Sequence, residues 1–305
     1  MSAPGIRRRD FAARLWRRPG ARAAVLVLAL LAGGALAAPV LAGLMGRDAE
    51  TVDLLARLAP PSLAHPLGTD ELGRDTLLRL LYGGRVSLLV GLVGAVAAAT
   101  LGTLIGLVAG YFGGRVDALL MRLCDGFLAL PLLPLLIVLA AIDPAKLGVP
   151  QSLAGGDDAS IYRIVALVAL VGWTGVSRLV RATVLSLRER DFVTAAVSIG
   201  AGPWRIMLRH LLPNALSPIL VATTLAVGSV ILVESVLSFL GLGIQPPMAS
   251  WGSMLTNAQE LITTAPELAV YPGLLIFATV VACNVLGDAL QEAIDPQQQA
   301  RESGA

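Results

Sequence analysis

An all-α fold is predicted, a polytopic membrane bundle of six transmembrane helices. Three observations carry it. Hydrophobic residues make up 56% of the 305-residue chain and charged residues 14%, whereas a soluble domain is about a quarter charged. The apolar residues gather into six runs near the ~20 residues that a helix needs to cross a bilayer. The arginines crowd beside some of those runs and avoid others.

Taken in order, residues 1–24 form an Arg-rich segment with Arg7, Arg8, Arg9, Arg14, Arg17, Arg18 and Arg22. The positive-inside rule places it in the cytoplasm. Residues 25–44 (Val25 to Leu44) are the first span. Ala35-Leu36-Ala37 gives it a rival reading as a cleaved signal peptide, but the run is longer than a signal h-region, so an uncleaved anchor is expected. Residues 45–85 are an extracytoplasmic loop with a short amphipathic helix, capped by Thr69 or Asp70. Leu72, Leu77, Leu80 and Leu81 give that helix an apolar side and Gly83-Gly84 ends it. It either helps form an entry mouth or anchors the loop at the interface.

Residues 86–293 are the core, with spans Val86 to Gly110, Leu119 to Ile142, Ile164 to Leu185, Ile219 to Leu242 and Leu268 to Ala289. Arg178 and Arg181 interrupt the Ile164 span, which is expected to project from the bilayer on that side. Asp143, Asp157 and Asp158 against Lys146 place the loop before it outside. Arg188, Arg190, Arg205 and Arg209 place the loop of about 188–217 inside, and six spans return the 294–305 tail to the cytoplasm. Gly102, Gly106 and Gly110, spaced by four, fit close helix packing.

The 188–217 loop is the most informative stretch. Asp191 can cap a helix running to about Ile199. Gly200 and Gly202 break it. Pro203 suits a first helical position and opens a second amphipathic piece, Trp204 to Leu212, after which Leu212-Pro213 turns the chain. Ala195, Ala196 and Gly200 leave a small, smooth knob that a partner can approach. The plainer reading is a connector between helices. The arginines meet either lipid phosphate or acidic groups on a partner.

Ionisable groups inside spans are costly and often functional. Here they are Asp125, Glu234 and Asp288. Glu234, beside Ser235, either lines a polar pathway or bonds a neighbouring helix; Asn284 and Asp288 are further polar candidates of either kind. Asp125 and Asp288 lie near cytoplasmic ends, where structural pairing is expected.

Several classes are excluded or disfavoured. Cys124 and Cys283 sit in apolar stretches, His65 and His210 are far apart, and no metal site is expected. The only lysine, Lys146, follows Ala145, so the phosphate-binding pattern GxxxxGK[ST] is absent and this chain binds no ATP by it. No paired-carboxylate, HExxH or nucleophile-elbow pattern points to an intramembrane enzyme. No internal repeat supports an ion-coupled secondary transporter, which stays as the alternative from a different class. No nucleic-acid partner is expected.

Four blocks then carry a resemblance. They are His65-Pro66-Leu67-Gly68-Thr69-Asp70 with Gly73-Arg74-Asp75, and Ala195-Ala196 to Pro213-Asn214. Next come Glu234 to Gly243 with Pro246-Pro247 and Ser250-Trp251-Gly252, and last Asn284 with Gly287-Asp288 and Asp295-Pro296. In order and spacing they resemble permease subunits of the dipeptide/oligopeptide/nickel ABC importers, over about Ala64 to Pro296. The chain lacks the long outer insertion of the companion permease and so looks like the shorter, C-type subunit. The resemblance implies an ABC type I importer permease fold, forming half of a pathway for small peptides, with nickel chelates or glutathione-like solutes as alternatives. It also implies a bacterial inner-membrane location and partners: a second permease as heterodimer, two cytoplasmic ATPases that bind ATP and Mg, an extracytoplasmic binding protein, and the lipid bilayer. The loop resembles the family's "EAA" loop, which implies ATPase docking through Thr194, Ala195, Ala196, Gly200, Pro203 and Trp204. The acidic residue that names the loop is Thr194 here, and His210 resembles the peptide-importer branch.

Overall fold

A computed structural model describes residues 15–142, 146 and 159–294. Arg7, Arg8, Arg9, Arg14, Asp143, Asp157, Asp158, Asp295 and Pro296, together with nearly all of the 294–305 tail, lie outside the described residues. Among the described residues, five helices are long and apolar enough to cross a membrane, and a sharply bent pair makes a sixth candidate.

Helix α1 (Pro19–Met45) opens on a proline at its first turn, where the missing N–H costs nothing. Its small residues Ala21, Ala24, Ala35 and Ala38 turn inward, while Leu26, Leu30, Leu36 and Leu44 stay bare. That division suits a helix with one face on protein and one on lipid. Arg18 pairs with Glu292, so the beginning of α1 meets the end of the last helix at one end of the bundle.

Helix α2 (Thr76–Phe112) has 37 residues, about 55 Å at 1.5 Å per residue, well beyond the hydrocarbon thickness. The separate amphipathic helix expected within residues 45–85 does not form. Asp75, not Thr69 or Asp70, is the N-cap, its Oδ1 accepting from the Leu78 N–H at 3.0 Å, and the helix runs straight through Gly83-Gly84. Those glycines are a landing surface. A Cβ on Gly84 would sit 3.0 Å from the Trp251 ring and one on Gly83 3.2 Å from the Ser250 backbone.

The span predicted from Leu119 to Ile142 is broken. Helix α3 (Gly114–Ala129) and helix α4 (Leu132–Ala141) meet at 89°. Pro131 forces Leu130 into extended backbone (φ −85°, ψ 138°), because its ring clashes with a helical predecessor. Helix α5 (Ala159–Arg188) then answers its own arginines. The Arg181 Nη2 donates to Asp117 Oδ2 at 2.6 Å and Arg178 pairs with Asp125, both on α3. Asp125 is thus the structural partner the sequence predicts. Arg188 donates to the carbonyls of Gly110 and Tyr111 at 3.3 and 3.1 Å, satisfying the open end of α2. Between α2 and α5 the backbones touch: a Cβ on Gly106 would lie 2.5 Å from the Ser177 carbonyl oxygen.

Helix α6 (Asp191–Ser198) is short. Helix α7 (Pro203–Phe239) passes through a π-helical turn at Met207–Leu211. The turn predicted at Leu212-Pro213 is absent. The Leu212 N–H reaches back to the Met207 carbonyl, so the wider turn comes just before the proline that lacks a donor, and the helix continues. Helix α8 (Glu267–Ile294) closes the bundle and packs on α7 and α1.

Candidate functional site

Asp191 is the first residue of α6 rather than its cap; Arg190 takes that place. A carboxylate there still favours the helix N-terminus. The other end is a left-handed stop. Gly200 has φ +82°, its N–H bonds the Val197 carbonyl at 2.9 Å, and the Ala201 N–H bonds the Ala196 carbonyl at 3.0 Å. This pair of bonds is the Schellman arrangement that closes helices at a glycine. Pro203 then starts α7 at its first position, as its fixed φ predicts.

One face of α6 anchors the loop to the bundle. Val193 and Ala196 pack with Val180, Val184, Ile206, Met207 and Leu211. Ala196 is only 4% exposed, so its small size serves the loop's own packing, and the presented knob is narrower than the sequence implies. Thr194, Ala195, Gly200, Pro203 and Trp204 do share the exposed side. They are joined by two apolar side chains outside the predicted set, Val197 at 55% exposed and Ile199 at 86%, beside Trp204 at 63%. Their signal is the presence of Val197 and Ile199 in a loop otherwise rich in arginine and small residues. The loop therefore offers an apolar rim around a small-residue centre, held on a rigid base.

The second polar constellation lies at the opposite end of α7. Glu234 is fully buried. Its Oε1 accepts from the hydroxyls of Ser238 and Ser250, each at 2.7 Å, and its Oε2 from Ser87 at 3.3 Å. Ser87 in turn accepts from the Trp251 N–H at 3.1 Å, and the Trp251 indole donates to the Leu80 carbonyl at 2.9 Å. The carboxyl thereby pins the segment after α7 back onto α2. Through Ser87, Glu234 bonds to the neighbouring helix α2. Ser235 lies under Gly252, whose Cβ, if present, would be 2.4 Å from the Ser235 Cα. Ser87 was not singled out from sequence; no local pattern distinguishes it.

Asn284 and Asp288 do not join this cluster. They lie exposed on α8 in helical register with Leu274, Phe277 and Val281, which are also bare. The pairing expected for Asp288 is not made among the described residues, because no other element covers that face.

A helical bundle of membrane-spanning length with a pinned, apolar-rimmed loop at one end defines a polytopic membrane protein. Residues 102–299 match the family described as "Binding-protein-dependent transport system inner membrane component". The chain belongs to this family, the permeases of ABC importers. It is 40% identical over 290 residues to the glutathione transport system permease protein GsiD of Pectobacterium atrosepticum, covering 95% of this chain and 91% of that one. It is 41% identical over 243 residues to the dipeptide transport system permease protein DppC of Alkalihalophilus pseudofirmus, covering 80% and 75%. It is 36% identical over 250 residues to the oligopeptide transport system permease protein OppC of Bacillus subtilis, covering 82% and 77%. The ion-coupled alternative is set aside with this membership.

Proposed function

We propose that the chain forms half of the translocation pathway for small peptides, beside a second, different permease, in the bacterial inner membrane with its N-terminus in the cytoplasm. An extracytoplasmic binding protein delivers the peptide. Two cytoplasmic ATPases bind ATP and Mg2+ and drive the cycle; this chain does no chemistry on ATP. Relatives named for dipeptides, oligopeptides and glutathione, itself a small peptide, support one substrate class.

The observation that carries the mechanism is the exposed rim of Val197, Ile199 and Trp204, from the end of α6 to the start of α7, on a loop whose inner face is locked into the bundle. Such a loop is stiff enough to pass a rocking motion from a docked ATPase to α5 and α7, which it joins. Seating a large apolar side chain in a groove contributes about 1.5–3 kcal/mol, so a charge there is costly to the complex but not to the bundle. Ile199→Asp and Trp204→Asp should each lower recovery of the ATPases with the permease by about tenfold or more, with the bundle still folded. Ala196→Arg is a poor probe, because it would disrupt the loop's own packing. Full complex recovery and unchanged transport in both aspartate variants would reduce the loop to a connector.

A further inference from the structure

A cavity of about 310 Å³ opens at the end of the bundle opposite the docking loop, between the Asp70–Arg79 stretch and the segment of residues 241–257. Its wall holds two guanidinium groups, Arg74 and Arg79, two carboxylates, Asp70 and Glu71, and the amides of Gln245 and Asn257. The formal charges balance, but the guanidinium donors are not all matched. Asp70 Oδ1 already accepts the N–H groups of Leu72 and Arg74, at 2.9 and 3.0 Å. Its Oδ2 is shared by Arg74 Nε at 2.7 Å and Arg79 Nε at 3.3 Å. Arg79 is only 6% exposed, and among the described residues its Nη1 has no hydrogen-bond partner. A buried cationic donor without an acceptor is rare and costly. The acceptor that fits a guanidinium is a carboxylate. Glu71 is partly exposed, 3.9 Å from Arg74, and leaves a negative group for an ammonium. The volume lies at the small end of ligand sites.

We propose that this cavity binds a small zwitterionic peptide on its way into the pathway, with the α-carboxylate on Arg79 and the ammonium toward Glu71. This rests on the peptide reading above and names a substrate contact within it. The full complex, in lipid nanodiscs and without binding protein, is given the dipeptide Ala-Ala or its C-terminal amide, and binding is read by saturation-transfer NMR. Wild type should bind Ala-Ala about tenfold or more tightly than the amide. Arg79→Gln should abolish that preference. Asn257→Trp changes an exposed wall residue and no charge, and should weaken both ligands alike by filling the cavity. Equal binding of both ligands by wild type, an absence of signal from either, or a preference that survives Arg79→Gln would overturn the site. Uptake of Ala-Ala by proteoliposomes of wild type with its binding protein tests the peptide reading separately. Uptake without the Arg79-dependent preference would sink the site alone; a lack of uptake would sink the reading.

Discussion

Glu234 is the perturbation whose consequence follows most directly from geometry. Glu234→Leu keeps the bulk and removes both acceptor oxygens. Three hydroxyl bonds go with them, from Ser238, Ser250 and Ser87. At about 1 kcal/mol each, the value for ordinary bonds, the loss is roughly 3 kcal/mol. Glu234→Gln keeps the oxygen that serves both Ser238 and Ser250 and faces its amide to Ser87, which has a lone pair to offer; about 1 kcal/mol or less is lost. The loss falls on the contact between the Ser250-Trp251-Gly252 segment and α2, so it should appear as local opening rather than global unfolding. Ser235→Cys reports it, because Gly252 covers that position. With Cys124 and Cys283 replaced by alanine, maleimide labelling of Ser235→Cys should rise roughly a hundredfold in the leucine variant and severalfold in the glutamine variant. Equal labelling of wild type and Glu234→Leu, or of the two variants, would show that the carboxyl does not hold the segment.

Two further outcomes are expected. Gly106→Ala places a methyl 2.5 Å from the Ser177 carbonyl and should cost about 1–3 kcal/mol by overpacking, whereas Gly175→Ala on α5 meets open space and should not; thermal inactivation in detergent compares them. Single cysteines at Lys146 and Ser198 should label from opposite sides of the membrane, and labelling of both from outside would refute the proposed orientation.

The existence of the helices was legible from composition and run length alone, because a bilayer offers no other solution for a lone apolar segment. The stop at Gly200 and the start at Pro203 were legible too, since both depend on backbone freedom that a residue type declares locally. The docking candidates were legible as a group, but not which of them faces out. Ala195 and Ala196 read alike in sequence, and only the packing of α6 on α5 and α7 buries the second. The same limit explains Gly83-Gly84. A glycine pair ends a helix or receives a neighbour, and Trp251, more than 160 residues away in the chain, decided for the second. Glu234 stood out as a charge among apolar residues, while Ser87, its partner on α2, looked like any serine. Sequence determines which segments must leave water and where the backbone can stop. Which buried polar groups meet is set by long-range contacts, and those exist only once the helices have packed.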